Sequence, residues 1–294
     1  MSSPYKGQKL GLSGVIRSFG KLFLFILIMC IAYCYYNYTQ GKRLSENDIN
    51  YKEPTEMIYK GKKNRNGSIS SIIIINKGND YSKREASAIM FVDYYAKDKT
   101  PRLISFFPQA IIETSSNQKT TLADCFKQDG PEGVRALLKE SLGLDSNYYC
   151  VLSPYALEKS MEGLIPNGAT FQTSAPFTTK SNFIDYAIGN GQEDNELAEI
   201  TKDQLVFEEL HRVSFTLKNS LHVPRGIGNA HGYMATNLPG RAYTGILKDL
   251  ILGQNKPLKK IILPIEYLVN GKDNKKNVTI DDEKNKKIVH EFLN

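Results

Sequence analysis

Three histidines and a glycine-rich segment are the features of this chain that most directly suggest chemistry. His211, His222 and His231 are separated by 11 and 9 positions. This spacing matches no metal-ligand pattern, so we assign no metal ligand. Residues 226–232 read Gly-Ile-Gly-Asn-Ala-His-Gly, but they lack the Lys-Ser/Thr of a phosphate-binding loop and follow no evident strand. Their composition predicts a flexible loop, and neither feature identifies a catalytic residue.

The four cysteines divide into two pairs with different surroundings. Cys30 and Cys34 lie in a long apolar run, whereas Cys125 and Cys150 lie in the polar remainder of the chain. Two thiols in an oxidising compartment can form a disulfide, but sequence alone does not show whether their Cα atoms approach closely enough. The pairing of Cys125 with Cys150 therefore stays open. With no Cys-x-x-Cys motif, a zinc site is not indicated.

The apolar run at residues 22–38 contains no charged residue and predicts a transmembrane helix. Residues 19–38 reach the length of about 20 that crosses the hydrocarbon core, and tyrosines crowd the end of the run, as at a membrane interface. A cleaved signal peptide is the alternative, but the small-residue cleavage site that it needs is missing.

The charge before this run predicts its orientation. Residues 1–21 contain four basic residues and no acidic one, which keeps this tail in the cytoplasm and exports residues 39–294. The segment that follows the apolar run also carries two basic residues, Lys42 and Arg43, so the difference in charge between the two sides of the run is small. We therefore expect a single-pass protein of the cell (inner) membrane with a periplasmic or extracellular C-terminal domain.

The net charge does not indicate a nucleic-acid partner. The chain carries a formal +7, of which +4 lies in residues 1–21, so the exported part carries only +3. A nearly neutral exported domain behind a basic tail accounts for the sequence pI of about 9.0 without a polyanionic ligand.

Polar residues 39–67 are predicted to form a linker, and residues 68–294 to form one exported domain. The β-branched run from Ser71 to Asn76 predicts a strand that is buried on both faces. Helical periodicity between Gly130-Pro131 and Gly143 predicts an amphipathic helix, and residues 222–241 a long loop. Strands and helices alternate irregularly, which favours an α/β (α+β) fold with a single mixed β-sheet flanked by helices. Further strands are predicted at Ala88–Tyr95, Arg102–Phe107, Tyr148–Leu152 and Lys260–Pro264, and a closing helix at Asp281–Leu293.

The most distinctive stretch is the helix that opens at Gly130-Pro131-Glu132, ends in Leu-Gly-Leu and is followed by Tyr148-Tyr149. Together with the N-terminal membrane helix and the order of the strands, it resembles the LytR-CpsA-Psr family of membrane-anchored cell-envelope proteins. The resemblance covers roughly residues 68–165 and, less closely, 201–293. The matching stretches are Ile72–Ile75, Ala86–Val92, Leu103–Phe107, Gly130–Leu144, Asn147–Val151 and Leu238–Arg241.

The resemblance implies a chemistry as well as a fold. Members of this family transfer a glycan phosphate from a polyprenyl pyrophosphate carrier to cell-wall glycan. Their site is a cluster of Arg and Asp around the pyrophosphate, usually with Mg²⁺. Phosphoryl transfer depends on positioning and on neutralising charge at the phosphate oxygens, which suits bidentate arginine and metal-binding carboxylates.

This chain departs from the family at most of those positions. The Asp of the family's Ser-Asp-Thr motif aligns with Ser87, and the Arg-Asp pair after the hairpin aligns with Pro108 and Gln109. Charged residues are retained at or near the family's positions after the first strand and ahead of a late helix. The resulting candidate ligand-binding residues are Asp80, Lys83, Arg84 and Arg241. Each also has a structural interpretation: Asp80 as a turn residue, Lys83 and Arg84 as solvated charges, and Arg241 as an ion-pair partner.

The resulting hypothesis is a membrane-anchored envelope protein with a degenerate domain, acting as a non-catalytic binding or scaffold component. The alternative is a divergent phosphotransferase that attaches polyprenyl-pyrophosphate-linked glycan to the cell wall. It would require Asp80, Arg84 and Arg241 to converge and would use Mg²⁺. Acidic residues of the 185–209 stretch, such as Asp185 or Glu208, are candidates to join them. The sequence leaves open whether the chain is an enzyme, and the lost charges favour a protein that is not one. The expected partners are the membrane and a polyprenyl-linked ligand or an envelope protein.

Overall fold

The computed structural model describes most of the chain, with several gaps. The described residues are 12–48, 68–95, 100–113, 119–166, 168–172, 179–188, 196–214, 216, 218–238, 256–265, 280 and 283–293. The helices are α1 (Leu12–Glu46), α2 (Leu122–Leu142), α3 (Pro154–Leu164), α4 (Lys180–Ile188), α5 (Glu196–Ser214), α6 (Val223–His231) and α7 (Glu283–Leu293). The strands are β1 (Ser68–Asn76), β2 (Ala86–Tyr95), β3 (Pro101–Phe106), β4 (Ile111–Glu113), β5 (Lys119–Thr121), β6 (Tyr148–Leu152), β7 (Met234–Thr236) and β8 (Lys259–Leu263).

Within these residues, six strands form one mixed sheet in the order β7-β6-β1-β2-β3-β8. The β1–β6 and β3–β8 pairs are parallel, and the β1–β2, β2–β3 and β6–β7 pairs are antiparallel. It follows that β1, β3, β6 and β8 all run in one direction and end at the same edge. The predicted fold class, a mixed sheet flanked by helices, is confirmed.

Helices cover both faces of this sheet. Ile72 and Ile74 of β1 point to one face, where Val134 and Leu138 of α2 pack with them in the largest core cluster. The alternate residues Ile73 and Ile75 point to the other face, toward α5, where Phe207 packs. Period-two alternation explains why this run of isoleucines is apolar throughout: the strand is buried on both faces.

A second apolar cluster lies among α3, α4, α5 and α6. Its buried members include Leu157, Met161, Phe183, Val206 and Val223. Helix α3 begins beside the sheet edge where β6 ends, and Gly163 near its other end lies against Gly226 of α6. The cluster therefore extends from the sheet toward α6.

Helix α1 contains the segment among the described residues that is long and apolar enough to cross a membrane, within Lys21–Glu46. Its apolar side chains from Leu22 to Ile31 are exposed, as expected for a surface that faces lipid. The helix does not end at residue 38, because it continues to Glu46 and packs on α6. Residues 39–46 of the predicted linker are thus helical, and residues 49–67 lie outside the described residues.

The prediction of a loop over 222–241 is wrong for most of its length, because residues 223–231 form α6 and residues 234–236 form β7, while residues 239–241 lie outside the described residues. Glycine is a poor helix former, which is why composition suggested a loop. Here the missing side chains let neighbouring helices approach. A Cβ on Gly228 would lie 2.3 Å from the carbonyl oxygen of Tyr38 in α1, and one on Gly226 would lie 2.4 Å from Cγ of Leu164 in α3. Close packing on two sides favours the helix over the loop.

The predicted helix over 130–143 forms the second part of α2. Gly130 has non-helical backbone angles (φ 68°, ψ −158°) and divides α2 at a kink, after which Pro131 begins the second part. Gly143 ends the helix in the left-handed conformation, with φ 72°. The prediction of a helix opening at Gly130-Pro131 is confirmed, while the preceding helical turns from Leu122 went unrecognised.

Both cysteines outside α1 are free. Cys150 lies in β6 with its Sγ 3.7 Å from Sδ of Met234. Burial raises the pKa of the Cys150 thiol to about 12 and that of the Cys125 thiol to about 11. Of the two alternatives left open by the sequence, the structure has the unpaired one, with thiols that resist ionisation.

Candidate functional site

The edge of the sheet where β1, β3, β6 and β8 end carries the candidate site. Two loops lie there: residues 77–85 between β1 and β2, and residues 107–110 after β3. In sheets of this kind, ligands bind beyond the carboxyl ends of the parallel strands. Of the four candidate residues, Asp80, Lys83 and Arg84 lie in the first loop, while Arg241 lies outside the described residues.

Asn76 holds the first loop in shape from its base. This residue is buried, and its Nδ2 donates to the carbonyl oxygen of Gly78 at 2.8 Å. Its Oδ1 accepts from the backbone N–H of Glu85 at 2.9 Å, on the far side of the loop. The backbone N–H of Lys77 also donates to the carbonyl oxygen of Glu85, at 2.8 Å. One amide side chain therefore joins the beginning and the end of the loop.

Tyr81 anchors the middle of the loop to the neighbouring strands. Its hydroxyl accepts from the backbone N–H of Ser153 at 3.0 Å and donates to the carbonyl oxygen of Tyr233. Burial raises the pKa of the Tyr81 phenol well above its ordinary value, so the group stays protonated and can donate. The loop is thus fixed to the end of β6 and to the residue that precedes β7.

The same loop contacts the beginning of α3. Oδ1 of Asn79 accepts from the backbone N–H of Tyr155 at 3.1 Å, and Oγ of Ser153 accepts from the N–H of Ala156 at 3.1 Å. These two side chains satisfy N–H groups that would otherwise have no partner at the helix start. The N-terminus of α3 is therefore occupied by the protein itself.

Asp80 is exposed and forms a local turn. Its Oδ1 accepts from the backbone N–H of Ser82 at 3.0 Å and from Oγ of Ser82 at 2.7 Å. This is the turn geometry that the Asn-Asp-Tyr-Ser sequence indicates. The carboxylate lies at the protein surface, beside the exposed Lys83. The structure supports the turn interpretation and leaves a ligand role for Asp80 as a proposal.

Arg84 is the candidate residue most closely held by the protein. It is partly buried, and its Nη1 donates to the carbonyl oxygen of Gln128 at 3.2 Å. A Cβ on Gly130 would lie 3.3 Å from the same Nη1, so the guanidinium rests directly on this glycine. Arg84 is thereby placed at the kink of α2, where the second part of the helix begins. A helix start carries partial positive charge, which adds to that of the guanidinium.

The three positions at which the family carries charge are neutral here and serve the local structure. Oγ of Ser87 donates to the carbonyl oxygen of Ile75 at 3.1 Å, between β1 and β2. The carbonyl oxygen of Pro108 accepts from the N–H of Ala123 at 2.9 Å, at the start of α2. Gln109 is exposed, and none of these residues supplies a charge to the edge.

The carboxylates named in the phosphotransferase alternative are not gathered at one place among the described residues. Across the described ranges, no group of three Asp, Glu, His or Cys side chains converges. Glu208, named in the phosphotransferase alternative, pairs with Lys260. Lys260 stands near the beginning of β8, toward the opposite edge of the sheet from Asp80. Asp185 is exposed on α4. The convergence that this alternative needs is therefore not formed with Glu208.

Glu196, which sequence reasoning did not single out, does reach the site edge. Its Oε1 lies 3.5 Å from the backbone nitrogen of Gln109, because α5 begins beside the loop that follows β3. An acidic residue in the first turn of a helix is an ordinary feature. No signal in the sequence separated Glu196 from other residues of this kind. The roles of Asn76, Tyr81 and Gly130 were missed for the same reason.

The chain is similar to several known proteins in sequence and in structure. The chain is 22% identical over 282 residues to the regulatory protein MsrR of Staphylococcus aureus, covering 90% of this chain and 85% of MsrR. The structure is similar to Bacillus subtilis TagV, with a TM-score of 0.58 and 12% identity over 79% of this chain and 96% of TagV. It is also similar to TagT bound to LI-WTA, with a TM-score of 0.52 and 15% identity over 72% of this chain and 84% of TagT.

The chain has the LytR-CpsA-Psr fold. No protein-family model matches the chain. The expected resemblance is nevertheless confirmed by relatives that span most of its length. Within this fold, the loop after β1 carries Asp80, Lys83 and Arg84, and the loop after β3 carries Pro108 and Gln109, the positions that the resemblance aligned with the family's charged motifs.

Proposed function

We propose that this protein is a membrane-anchored component of the cell envelope that binds an anionic, polyprenyl-linked ligand without transferring it. The observation that carries the proposal is the composition of the sheet edge. Arg84 is held in place there, while neutral Ser87, Pro108 and Gln109 stand where the family carries charge. Such an edge can attract a phosphate group, and among the described residues its carboxylates, those of Asp80, Glu85 and Glu196, are not gathered into a group of three that would hold a metal ion for transfer.

The cationic side of this edge supports the binding part of the proposal. Lys77, Lys83 and Arg84 outnumber Asp80 and Glu85 in the first loop. Arg84 uses Nη1 for the carbonyl oxygen of Gln128, and a guanidinium has five donors in all. A phosphate beside Arg84 would also face the beginning of the second part of α2. The similarity in fold to TagT, which was solved bound to LI-WTA, supports a ligand of this chemical class.

The experiment is a calorimetric titration of the full chain, in detergent, with a polyprenyl pyrophosphate in Mg²⁺ and in a chelator. We expect binding that does not require Mg²⁺ and that weakens by about ten- to one-hundredfold in Arg84→Ala, since charge-assisted hydrogen bonds contribute about 1.5–3 kcal/mol. Lys260→Ala removes the same charge toward the opposite edge and is the control. Equal affinity in the two variants, or no binding at all, would overturn the proposal, and strictly Mg²⁺-dependent binding would favour the phosphotransferase.

A further inference from the structure

The contact between α1 and α6 holds the domain directly against the end of the apolar segment. A Cβ on Gly41 would lie 2.5 Å from the carbonyl oxygen of Arg225, and one on Gly232 would lie 2.8 Å from Oγ of Ser45. Oγ of Ser45 also accepts from the backbone N–H of Gly232 at 3.1 Å. Two helices this close leave no room for lipid or for another part of the protein between them. The domain therefore begins where α1 leaves its exposed apolar stretch.

The contacts also show the direction in which the two helices run. Gly41 contacts Arg225 and Asn229, and Ser45, one turn later in α1, contacts Gly228 and Gly232. Positions rise together along both helices, so they run in the same sense. The 3₁₀ turn Ser220–His222, which precedes α6 and contacts α1, therefore lies one turn nearer the apolar segment than Gly41. Asn37, one turn before Gly41, is accordingly covered and only 7% exposed.

This level corresponds to the lipid headgroups. The apolar run ends at Tyr38, and a helix rises 1.5 Å per residue, so Gly41 stands about 5 Å beyond Tyr38. The headgroup layer on each side of the hydrocarbon core is roughly 5–7 Å thick. The 3₁₀ turn and the first residues of α6 thus lie within this layer when α1 spans the bilayer.

The side chains at this level suit a lipid interface. Leu221 is 38% exposed. Among the described residues, Leu221 and Leu44 are the exposed large apolar residues outside the apolar run at residues 22–38. Arg225 is exposed one turn later. Residues 34–43 and 218–228 contain four basic residues and no acidic one. An apolar side chain flanked by cations matches the boundary between acyl chains and anionic headgroups.

We propose that the exposed residues Lys218, Leu221 and Arg225, the juxtamembrane face, rest on the anionic phospholipid headgroups of the bilayer that α1 spans, with Leu221 inserted at the acyl-chain boundary. This inference rests on the proposed anchoring by α1 and not on ligand binding at the sheet edge. The bilayer then becomes a second support for the domain, beside the α1–α6 contact. The sheet edge is held on the side away from the lipid, where Tyr155, at the start of α3, donates through its hydroxyl to Oδ2 of Asp48 at 2.8 Å.

The chain contains no tryptophan, so a single introduced tryptophan reports one position in the full-length protein. Leu221→Trp, Leu27→Trp and Lys77→Trp are each reconstituted in vesicles of phosphatidylcholine and phosphatidylglycerol. Some of the acyl chains are brominated either near the headgroup or near the terminal methyl group. We expect Leu221→Trp emission to shift to the blue and to be quenched by the shallow bromines. Leu27→Trp should be quenched by the deep bromines, and Lys77→Trp by neither.

The three variants separate the possible failures. If Leu27→Trp is quenched but Leu221→Trp behaves like Lys77→Trp, the juxtamembrane face does not touch lipid and the inference is overturned while anchoring stands. If Leu27→Trp is not quenched either, the anchoring itself is wrong. A blue shift of Leu221→Trp that escapes quenching and disappears on dilution identifies a second copy of the chain as the partner and also overturns the inference.

The charge of the headgroups is tested by a double variant. Adding Arg225→Glu to Leu221→Trp should reduce quenching in phosphatidylglycerol vesicles if the anionic headgroups contribute.

Discussion

At the scale of single residues, the site depends on side chains that shape the loop rather than on those that would meet a ligand. Asn76 joins the two ends of the loop 77–85, and Tyr81 joins this loop to the residues that follow β6 and precede β7, while Asp80 and Lys83 remain at the surface. A loop fixed in this way presents Arg84 at one place, which lowers the entropy lost when a ligand binds.

Replacing Asn76 with alanine should therefore destabilise the protein. The change leaves the N–H of Glu85 and the carbonyl oxygen of Gly78 without these partners, at a cost of about 1–3 kcal/mol. Thermal unfolding of the full chain in detergent, followed by circular dichroism, measures the loss as a lower Tm. Lys77→Ala, an exposed neighbour, should change stability by less than about 0.5 kcal/mol. If both variants unfold at the same temperature, Asn76 does not hold the loop.

Gly130 links backbone conformation to the position of Arg84. Its φ of 68° and ψ of −158° lie in a region that is essentially restricted to glycine, so Gly130→Ala should cost about 1–3 kcal/mol and displace the guanidinium. Gly143→Ala is the matched control, because Gly143 also has a positive φ but no atom within 4 Å of its would-be Cβ. Both variants should be less stable, yet Gly130→Ala alone should weaken binding of polyprenyl pyrophosphate in the calorimetric titration. Equal weakening by both would contradict the contact with Arg84.

At the scale of elements, the sequence predicts well wherever one short-range pattern determines the outcome. The isoleucines of β1 predicted a strand because a strand buried on both faces is apolar at every position. The leucines of α2 predicted a helix because one buried helical face repeats apolar residues at intervals of three or four. The helix α6 was missed because its stability comes from α1 and α3, which are distant in sequence. The role of Tyr81 was missed similarly, since its partners Ser153 and Tyr233 lie 72 and 152 positions away.

Gly228→Ala tests whether close approach is the reason for glycine in α6. In an isolated helix, alanine would be more favourable than glycine by about 1 kcal/mol. Here its Cβ would lie 2.3 Å from the carbonyl oxygen of Tyr38, so we expect a lower Tm and faster proteolysis around residues 37–48. Gly78→Ala, in an open loop where the nearest atom is 3.9 Å from the would-be Cβ, is the control and should have little effect. A higher Tm for Gly228→Ala would mean that α1 does not pack tightly on α6.

Asp203 gives α5 a pH-dependent contribution to stability. The side chain is buried, and burial raises its pKa to about 7, with Glu199 adding to this and Lys202 opposing it. The pKa is higher in the folded state than in the unfolded chain, so the contribution is fully present below about pH 4 and is lost as the pH rises to about 7. Asp203→Asn should therefore gain stability relative to the natural chain between pH 4.5 and pH 7.5, measured as the difference in Tm on the order of a few degrees. A difference that is independent of pH would show that Asp203 is ionised throughout.

At the scale of the whole molecule, the described residues combine one helix that is apolar and long enough to span a membrane, the LytR-CpsA-Psr fold, and a sheet edge with neutral residues at three of the family's charged positions. The fold followed from the resemblance, and the structure confirms it. The loss of the family's charges could also be seen in the sequence, at Ser87, Pro108 and Gln109. The distance of Glu208 from the site could not, because it depends on which end of α5 approaches the edge. Arg241 stays a prediction.

The most direct test of binding without transfer is a turnover measurement. The full-length protein in detergent is incubated with a labelled glycan on polyprenyl pyrophosphate, cell-wall glycan and Mg²⁺, beside an active member of the LytR-CpsA-Psr family. We predict that the labelled carrier co-purifies with this protein, that less co-purifies with Arg84→Ala, and that no label reaches the acceptor. Label transferred to cell-wall glycan by the natural chain, and lost on chelation of Mg²⁺, would contradict the account and establish the protein as a phosphotransferase.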